Sequence, residues 1–459
     1  MPNVRTNIKP NTEKALTPFA YSLRSITLTN HKGDQADIQN IVIDFSITES
    51  IYTAGLTLRL SIKDVANFIE EYQLIGQETI EIRLGRHEFE NPDWSDVKIK
   101  FYVTEYPEFG RTTQQNTQIY TIAAVTQHAY VSQFKRISRS VSSRVSDEIR
   151  RTVERDCLAE RISEFDATVS RFSGVLPLMH PLDSAYWLLR RAFDEHSAPF
   201  FLYETLFSGV TLRSLTNLIS DSKNPVYRIY EDHRVYSSDP NTTEDYKQRL
   251  TRILDVSSDF RLSKVLPNLS GGAFSSNNLY LDLATKSLKK QQFNYQRAFV
   301  PSQSMNGHSV LSDKFQIPFE LPNQKIKISE TYDSFTEYVP TNSLAYSSDG
   351  SVFNYHTLLT NRAGRFNSRL ETMDTIVHDL IVAGDFNLSA GKKVEIRIPK
   401  AVDPRSFDRS KMKGKFDDLY DRTVSGVYLI TGITHRFGND YLCKLRVKRD
   451  SMTYDLNKS

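Results

Sequence analysis

Between Tyr21 and Gln133, apolar residues recur at every second position. Ile41, Ile43, Phe45 and Ile47 alternate with Val42, Asp44 and Ser46, and Leu56, Leu58, Leu60 and Ile62 alternate with Thr57, Arg59 and Ser61. Successive side chains of a strand point to opposite faces, so a period of two predicts half-buried antiparallel strands. Thr79 to Leu84, Ile99 to Thr104 and Gln118 to Val125 extend the series, and Pro107 to Gln115 reads as a turn between the last two. Residues 21–133 are therefore expected to form an all-β unit behind an N-terminal extension, 1–20.

At Val141 the period lengthens to that of a helix. Ser146 is placed to cap a helix carrying Asp147 and Glu148 in its first turn, with Ile149, Val153 and Cys157 on one face. A second helix is predicted after Pro181, with Ala185, Leu188, Leu189, Ala192 and Phe193 at helical spacing and Pro199 beyond its end. Phe200 to Tyr203 and Val210 to Leu212 are candidate strands, so 134–245 reads as a mixed α/β middle region. The β pattern returns at Leu254. Residues 300–360, rich in Ser, Asn, Pro and Tyr, read as an extended insertion or linker, followed by a helix from about Thr360 to Asp374 that aligns Phe366, Leu370 and Met373. Val394, Ile396 and Ile398 then alternate with Lys393, Glu395 and Arg397, and Tyr441, Cys443, Leu445 and Val447 with Leu442, Lys444, Arg446 and Lys448. A second β unit is expected from 246–300 together with 375–455, interrupted by 301–374 as insertion and helix.

Two of these β segments resemble each other. Gly76 followed by Thr79-Ile80-Glu81-Ile82-Arg83-Leu84 matches Gly391 followed by Lys393-Val394-Glu395-Ile396-Arg397-Ile398. Each leads into a strand, turn, strand unit, Phe101 to Val125 in one case and Tyr428 to Val447 in the other. Conserved order of elements predicts an internal duplication, and two equivalent modules in one chain would let three chains present six similar faces.

Composition narrows the function classes. The 459 residues suffice for several domains, and 25% charged with 39% hydrophobic residues is an ordinary globular profile. The formal net charge of +3 is too balanced to advertise nucleic acid as the main partner. Cys157 and Cys443 stand far apart, which predicts neither a disulfide framework nor a Cys-x-x-Cys site. Met1 to Leu16 is polar and contains Pro2 and Pro10, and no apolar run approaches a membrane span; no signal peptide or membrane anchor is expected.

The sequence contains no phosphate-binding loop, no dinucleotide fingerprint, no Gly-x-Ser-x-Gly elbow and no His-Glu-x-x-His helix. Gly271-Gly272 reads as a turn, and His378 and His435 as hydrogen-bonded core histidines. The acidic pairs Glu70-Glu71 and Asp417-Asp418 read as solvated surface. Lys135, Arg136, Arg139, Arg144, Arg150, Arg151 and Arg155 form a basic stretch that lacks interleaved aromatics, so a solvated helix face or an acidic protein partner is the expectation. Asp403 to Arg422, which mixes charges with few apolar groups, is expected to be a mobile loop. No catalytic, cofactor-binding or metal residue, and no cofactor, is assigned.

The run Ala383-Gly384-Asp385-Phe386-Asn387-Leu388-Ser389-Ala390-Gly391, then Val394-Glu395-Ile396, then Gly426 to Ile430 through Thr434-His435 to the last strand, resembles the central baseplate hub proteins of contractile-tailed bacteriophages. Ser270 to Phe274 with Leu281-Asp282-Leu283, and the helix and strands of 181–212, resemble further hub segments. The likeness spans most of residues 20–455; 300–360 and 401–424 look longer than in that family. It implies a mainly β fold: two tube-like antiparallel β-barrel domains plus a mixed helical and strand domain. It further implies a homotrimeric ring of six barrels that adapts a hexameric tail tube to a trimeric spike. The implied partners are a separate spike protein, the tail tube or a tube-initiator protein, and baseplate wedge proteins, with tape measure or DNA passing through the lumen. The implied location is the virion tail baseplate, assembled in the host bacterial cytoplasm. The alternative from another class is a cell-wall-binding or cell-wall-degrading tail component, and a third is nucleic-acid binding through 135–155.

Overall fold

The computed structural model describes residues 21–85, 96–112, 117–232, 249–256, 264–341, 352–400 and 420–458. The first strands are β1 (Ser22–Thr29), β2 (Gln35–Asp37), β3 (Val42–Ser50), β4 (Thr57–Asp64), β5 (Thr79–Gly85), β6 (Asp96–Thr112) and β7 (Thr117–Thr126). The middle of the chain supplies β8 (Ser140–Arg144), β9 (Ile162–Phe165), β10 (Arg171–Val175), β11 (Phe200–Thr205) and β12 (Gly209–Ser214). Then come β13 (Val226–Glu231), β14 (Ile253–Val256), β15 (Ser275–Asp282), β16 (Ser287–Asn294), β17 (Gln316–Phe319), β18 (Leu321–Lys327) and β19 (Thr336–Thr341). The last four are β20 (Ile376–Ala383), β21 (Lys393–Arg397), β22 (Gly426–Phe437) and β23 (Tyr441–Arg449). The molecule is mostly β, with large antiparallel sheets and with helices and mixed sheets in the middle.

Alternating burial builds the main sheet. Leu56, Leu58, Leu60 and Ile62 are buried, as are Tyr441, Cys443, Leu445 and Val447, and each such side chain contributes about 1.5–3 kcal/mol. All join one core with Ile26, Ile82, Phe101, Ile122, Leu380 and Ile396. One phase changes along the way. Ile43 is 41% exposed, not inward like Phe45 and Ile47, because the pairing of β3 with β4 slips between Val42 and Asp44. That bulge leaves Ile43 without a partner and flips the strand's alternation, which a strict period of two cannot register.

Thirteen of the described strands form one continuous sheet with two halves. The order in the first half is β3-β4-β7-β6-β5-β1, with β2 beyond β1, and in the second β14-β20-β23-β22-β21-β13. With β2 set aside, each position holds the strand of the same rank in its half. The register agrees too: Thr79 faces Tyr102 where Lys393 faces Leu429, and Ile62 faces Tyr120 where Val382 faces Cys443. The irregularities repeat as well. Thr104 and Thr431 are both bulged, and their hydroxyls donate to the carbonyls of Ala123 (3.1 Å) and Arg446 (3.2 Å), which face the residues just after the bulges. Ile43 and Leu254 are likewise bulged, each followed by an aspartate. One strand departs: β1 runs antiparallel to β5, whereas β13 runs parallel to β21. A bridge from Glu231 to Arg252 brings the end of β13 beside the start of β14, rolling the second half towards closure.

The middle region packs on this sheet through a hairpin buried on both faces. Phe201 and Tyr203 of β11 face the main core, whereas Phe200, Leu202, Val210 and Leu212 face Val145, Ile149, Val153, Cys157, Ala185 and Leu188. That two-sided burial explains the unbroken apolar run of β11. The helices occupy Val145–Arg151 and Pro181–Leu189. Arg144, not Ser146, stands at the first helix's N-cap; Ser146 lies inside it, hydrogen-bonded with Thr168, and a π-helical turn continues over Thr152–Asp156.

Strand pairing also differs in places from the expected division. Of the described strands in 246–300, only β14 pairs with the strands of 375–455; β15 and β16 form a separate sheet with β19, and β13, from the middle region, joins β21. The β15–β19 ladder sets Asn277 against Thr336, a long-range pairing that periodicity does not encode. Pro107 lies within β6, which runs on to Thr112, and the helix before β20 is longer than expected, Val352–Met373.

Candidate assembly interface

The two halves of the sheet meet at β22. In β22, Gly426–Leu429 pairs with β21 and Gly432–Phe437 with β3, from Gly432 opposite Ser50 to Phe437 opposite Phe45. Aromatic rings close one end: Phe437 stacks on Phe45 and on Tyr441, both at 4.6 Å, and Tyr21 meets it edge-on at 5.2 Å. Such pairs add about 0.5–1.5 kcal/mol each beyond the area they bury.

The lock of the junction is polar. Glu49 of β3 is fully buried and accepts the Leu206 N–H (2.6 Å) and the Ala390 N–H (2.8 Å), with His435 Nε2 at 3.6 Å. One carboxylate thus ties the first half, the middle region and the second half together. His435 Nδ1 lies 2.8 Å from the Tyr441 hydroxyl and 3.5 Å from Cys443 Sγ. Burial works against charge on His435, but Cys443 and Glu49 push its pKa up to about 10. A folded-state pKa above the ordinary value of about 6.5 stabilises the fold fully below that value, and the contribution is lost as pH rises through about 10. The melting-temperature gap between wild type and Glu49→Gln is accordingly expected to be wide near neutral pH and to narrow through about pH 10; a constant gap across that range would contradict the ion pair.

A second buried carboxylate repeats the device. Glu204 of β11 accepts the Leu56 N–H (3.0 Å) and the Thr126 hydroxyl (2.7 Å), with His128 Nε2 at 3.4 Å. Lys393 of β21 is also buried, and its ammonium donates to the Ile219 carbonyl (2.6 Å) and to Asp221. Alternation predicted Lys393 to be solvated, but the chain after β12 covers that face. The run from Ala383 to Gly391 is a clamp on β13: Asp385 accepts the Tyr227 hydroxyl (2.7 Å) and pairs with Arg228 (2.9 Å), while Phe386 packs on Tyr441 (4.7 Å). Gly391 has φ +87°, and a Cβ there would stand 2.4 Å from the Tyr203 hydroxyl, so the turn requires glycine.

The other singled-out residues are structural in their surroundings. His378 is buried, 2.8 Å from the Tyr428 hydroxyl, and burial together with Arg449 lowers its pKa to about 3. Gly271 closes the helix Val265–Ser270 by donating to the Pro267 carbonyl. In the basic stretch, Arg139 turns onto Glu148 and Asp156, Arg150 onto Glu154 and Arg151 towards Glu148, so much of its charge is answered locally. Cys157 and Cys443 are buried free thiols. Glu70 and Glu71 lie on a one-turn helix, Phe68–Glu71, where the side-chain amide of Asn67 donates to Glu70. Asp417-Asp418 and the loop from Asp403 up to residue 419 lie outside the described residues. Among the described residues, no group of three or more His, Cys, Asp or Glu could hold a metal, and no helix is long and apolar enough to cross a membrane.

No family model matches the chain, and no curated protein matches it in sequence. Solved structures do match. The tail protein from Neisseria meningitidis MC58 aligns over 95% of this chain and 98% of its own, with a TM-score of 0.53 at 9% identity. The 43 kDa tail protein of prophage MuSo2 from Shewanella oneidensis aligns over 94% and 99% (TM-score 0.48, 10% identity). Prophage tail protein gp18 from Listeria monocytogenes aligns over 93% and 95% (TM-score 0.46, 7% identity). The chain therefore shares the fold of a tail protein, in agreement with its resemblance to baseplate hubs.

Proposed function

We propose that the chain is the central hub of a phage baseplate, a homotrimeric ring in which two tube-like units per subunit give pseudo-sixfold symmetry between a hexameric tail tube and a trimeric spike. The observation that carries this reading is the duplicated half-sheet, matched in strand order, register and bulges. A chain with two equivalent modules converts threefold into approximate sixfold symmetry by construction. In this reading residues 21–133 are one tube-like unit, and β13, β14 and β20 to β23 are the other. The region between β7 and β13 and the separate β15–β16–β19 sheet decorate the ring. Spike, tube or tube-initiator and wedge proteins dock on its faces, and tape measure or DNA occupies its lumen. The protein works in the virion by presenting bound area, without turnover.

Mass photometry of the purified full chain tests the stoichiometry. A species of three times the 52.7 kDa subunit mass, growing with concentration at the expense of single chains, is expected. A particle that stays a single chain, or closes at two or four copies, would contradict the reading.

A further inference from the structure

Away from the sheet junction, a cationic cleft opens where four parts of the chain meet. His196 comes from the middle region, Phe299 and Gln303 from the chain after β16, Arg365 and Arg369 from the helix Val352–Met373, and Asp450 from the turn after β23. Its volume is about 50 Å³, room for a few waters or the tip of one side chain and too little for a cofactor.

The lining is half cationic and half apolar. Arg365 and Arg369 stand four residues apart, so they are neighbours on one helix face. Arg369 spends two of its five N–H groups, on the Thr216 hydroxyl (3.2 Å) and the Gln303 carbonyl (2.6 Å). Arg365 is exposed and makes no hydrogen bond or ion pair among the described residues. The Gln303 side-chain amide donates to His196 Nδ1 (3.1 Å), so the neutral imidazole keeps its Nε2–H to offer. Phe293, Tyr295, Phe299 and Val300 supply the apolar lining, and Val300 is 39% exposed.

Two carboxylates act on these cations, and both are committed elsewhere. Asp450 Oδ1 accepts the Met305 N–H (3.1 Å) and the Ser451 hydroxyl (2.7 Å), and Asp194 Oδ1 accepts the N–H groups of His196 and Ala198 (both 2.9 Å). Burial, with Arg365 one turn earlier, holds the Arg369 guanidinium below the usual arginine range in spite of Asp450 and Asp194. Positive charge in the cleft is therefore under-compensated, and an entering anion relieves it.

We propose that this cleft takes the carboxylate of an acidic residue that stands beside an apolar residue in a protein docking on this chain. The carboxylate bridges Arg365 and the remaining N–H groups of Arg369 through charge-assisted hydrogen bonds, and the apolar side chain lies on Phe299 and Val300. The size of the cleft selects a single side chain, and its charge selects an acid. A phosphodiester would set polar sugar against the aromatic lining, whereas an acidic residue with an apolar neighbour matches both halves. The site goes beyond the ring proposed above and stands whatever the number of copies.

Saturation-transfer NMR on the full chain tests the site with three capped dipeptides. Acetyl-Leu-Glu-amide is expected to bind saturably. Acetyl-Leu-Gln-amide, which lacks the charge, should bind about tenfold more weakly, and acetyl-Gly-Glu-amide, which lacks the apolar side chain, about threefold more weakly. Arg365→Gln removes no bond of the fold, so it should keep the wild-type melting temperature and bring the Leu-Glu peptide down to the level of the Leu-Gln peptide. No saturable binding, equal binding of these two peptides by the wild type, or a preference for glutamate that survives Arg365→Gln would overturn the proposal. Inorganic phosphate that displaces acetyl-Leu-Glu-amide at equal or lower concentration would overturn it in favour of a phosphate site.

Discussion

Replacing Glu49 with leucine is expected to destabilise the folded chain by about 3–5 kcal/mol, the usual range when one partner of a buried, hydrogen-bonded charge pair is removed. Leucine fills much of the volume but accepts no hydrogen bond. The N–H groups of Leu206 and Ala390 would be stranded in a dry core, and His435 would lose the carboxylate that favours its charged form. The three groups belong to different parts of the chain, so the loss should appear as one cooperative drop in melting temperature together with loosened contact between the halves. Glu49→Gln keeps an acceptor and should cost less, about 1–3 kcal/mol. Glu70→Gln, on the short helix outside the core, serves as the surface comparison and should lie within about 0.5 kcal/mol of wild type. Equal melting temperatures for Glu49→Leu and Glu70→Gln would show that Glu49 does not hold the junction.

Ile396→Asp should be at least as damaging. Ile396 is fully buried in β21, opposite Gly426 on one side and Tyr230 on the other. Its replacement loses about 1.5–3 kcal/mol of apolar burial and takes a carboxylate out of water into the core, for a total of about 4–5 kcal/mol or more. Against a typical stability of about 5–15 kcal/mol, much of the chain should be recovered unfolded or aggregated. Arg397, one residue on, is partly exposed and bonds Glu395 at 2.7 Å. Arg397→Asp exchanges that pair for a mild repulsion and should cost about 1 kcal/mol or less. Similar melting temperatures for the two variants would mean that β21 presents the other face to the core.

The alternation of Leu56 to Ile62 and of Tyr441 to Val447 was enough to place the sheet, because burial on one face leaves a period that sequence carries directly. The duplication was legible in the two Glu-Ile-Arg strands, and their registers coincide in the fold. Bulges were not legible: Thr104, Thr431, Ile43 and Leu254 occupy ordinary strand positions, and only the partner strand reveals the extra residue. The junction itself was hidden for a related reason. Lys393 reads as a solvent-facing charge on an alternating strand, while Glu49 falls in step with Phe45 and Ile47 with no partner in view, and the bonding of both in the core depends on Leu206, Ala390 and Ile219, remote in sequence. A glutamate in step with the inward-facing Phe45 and Ile47 was the signal available; nothing local named its partners.

Electron cryomicroscopy of the assembled full chain tests the hub proposal most directly. The account predicts a ring of three copies in which six half-sheets lie around the axis, two from each subunit joined through β22 and β3, at nearly equal angular steps. A particle with any other number of copies, or three copies whose half-sheets do not repeat around the axis at close to sixfold spacing, would contradict it.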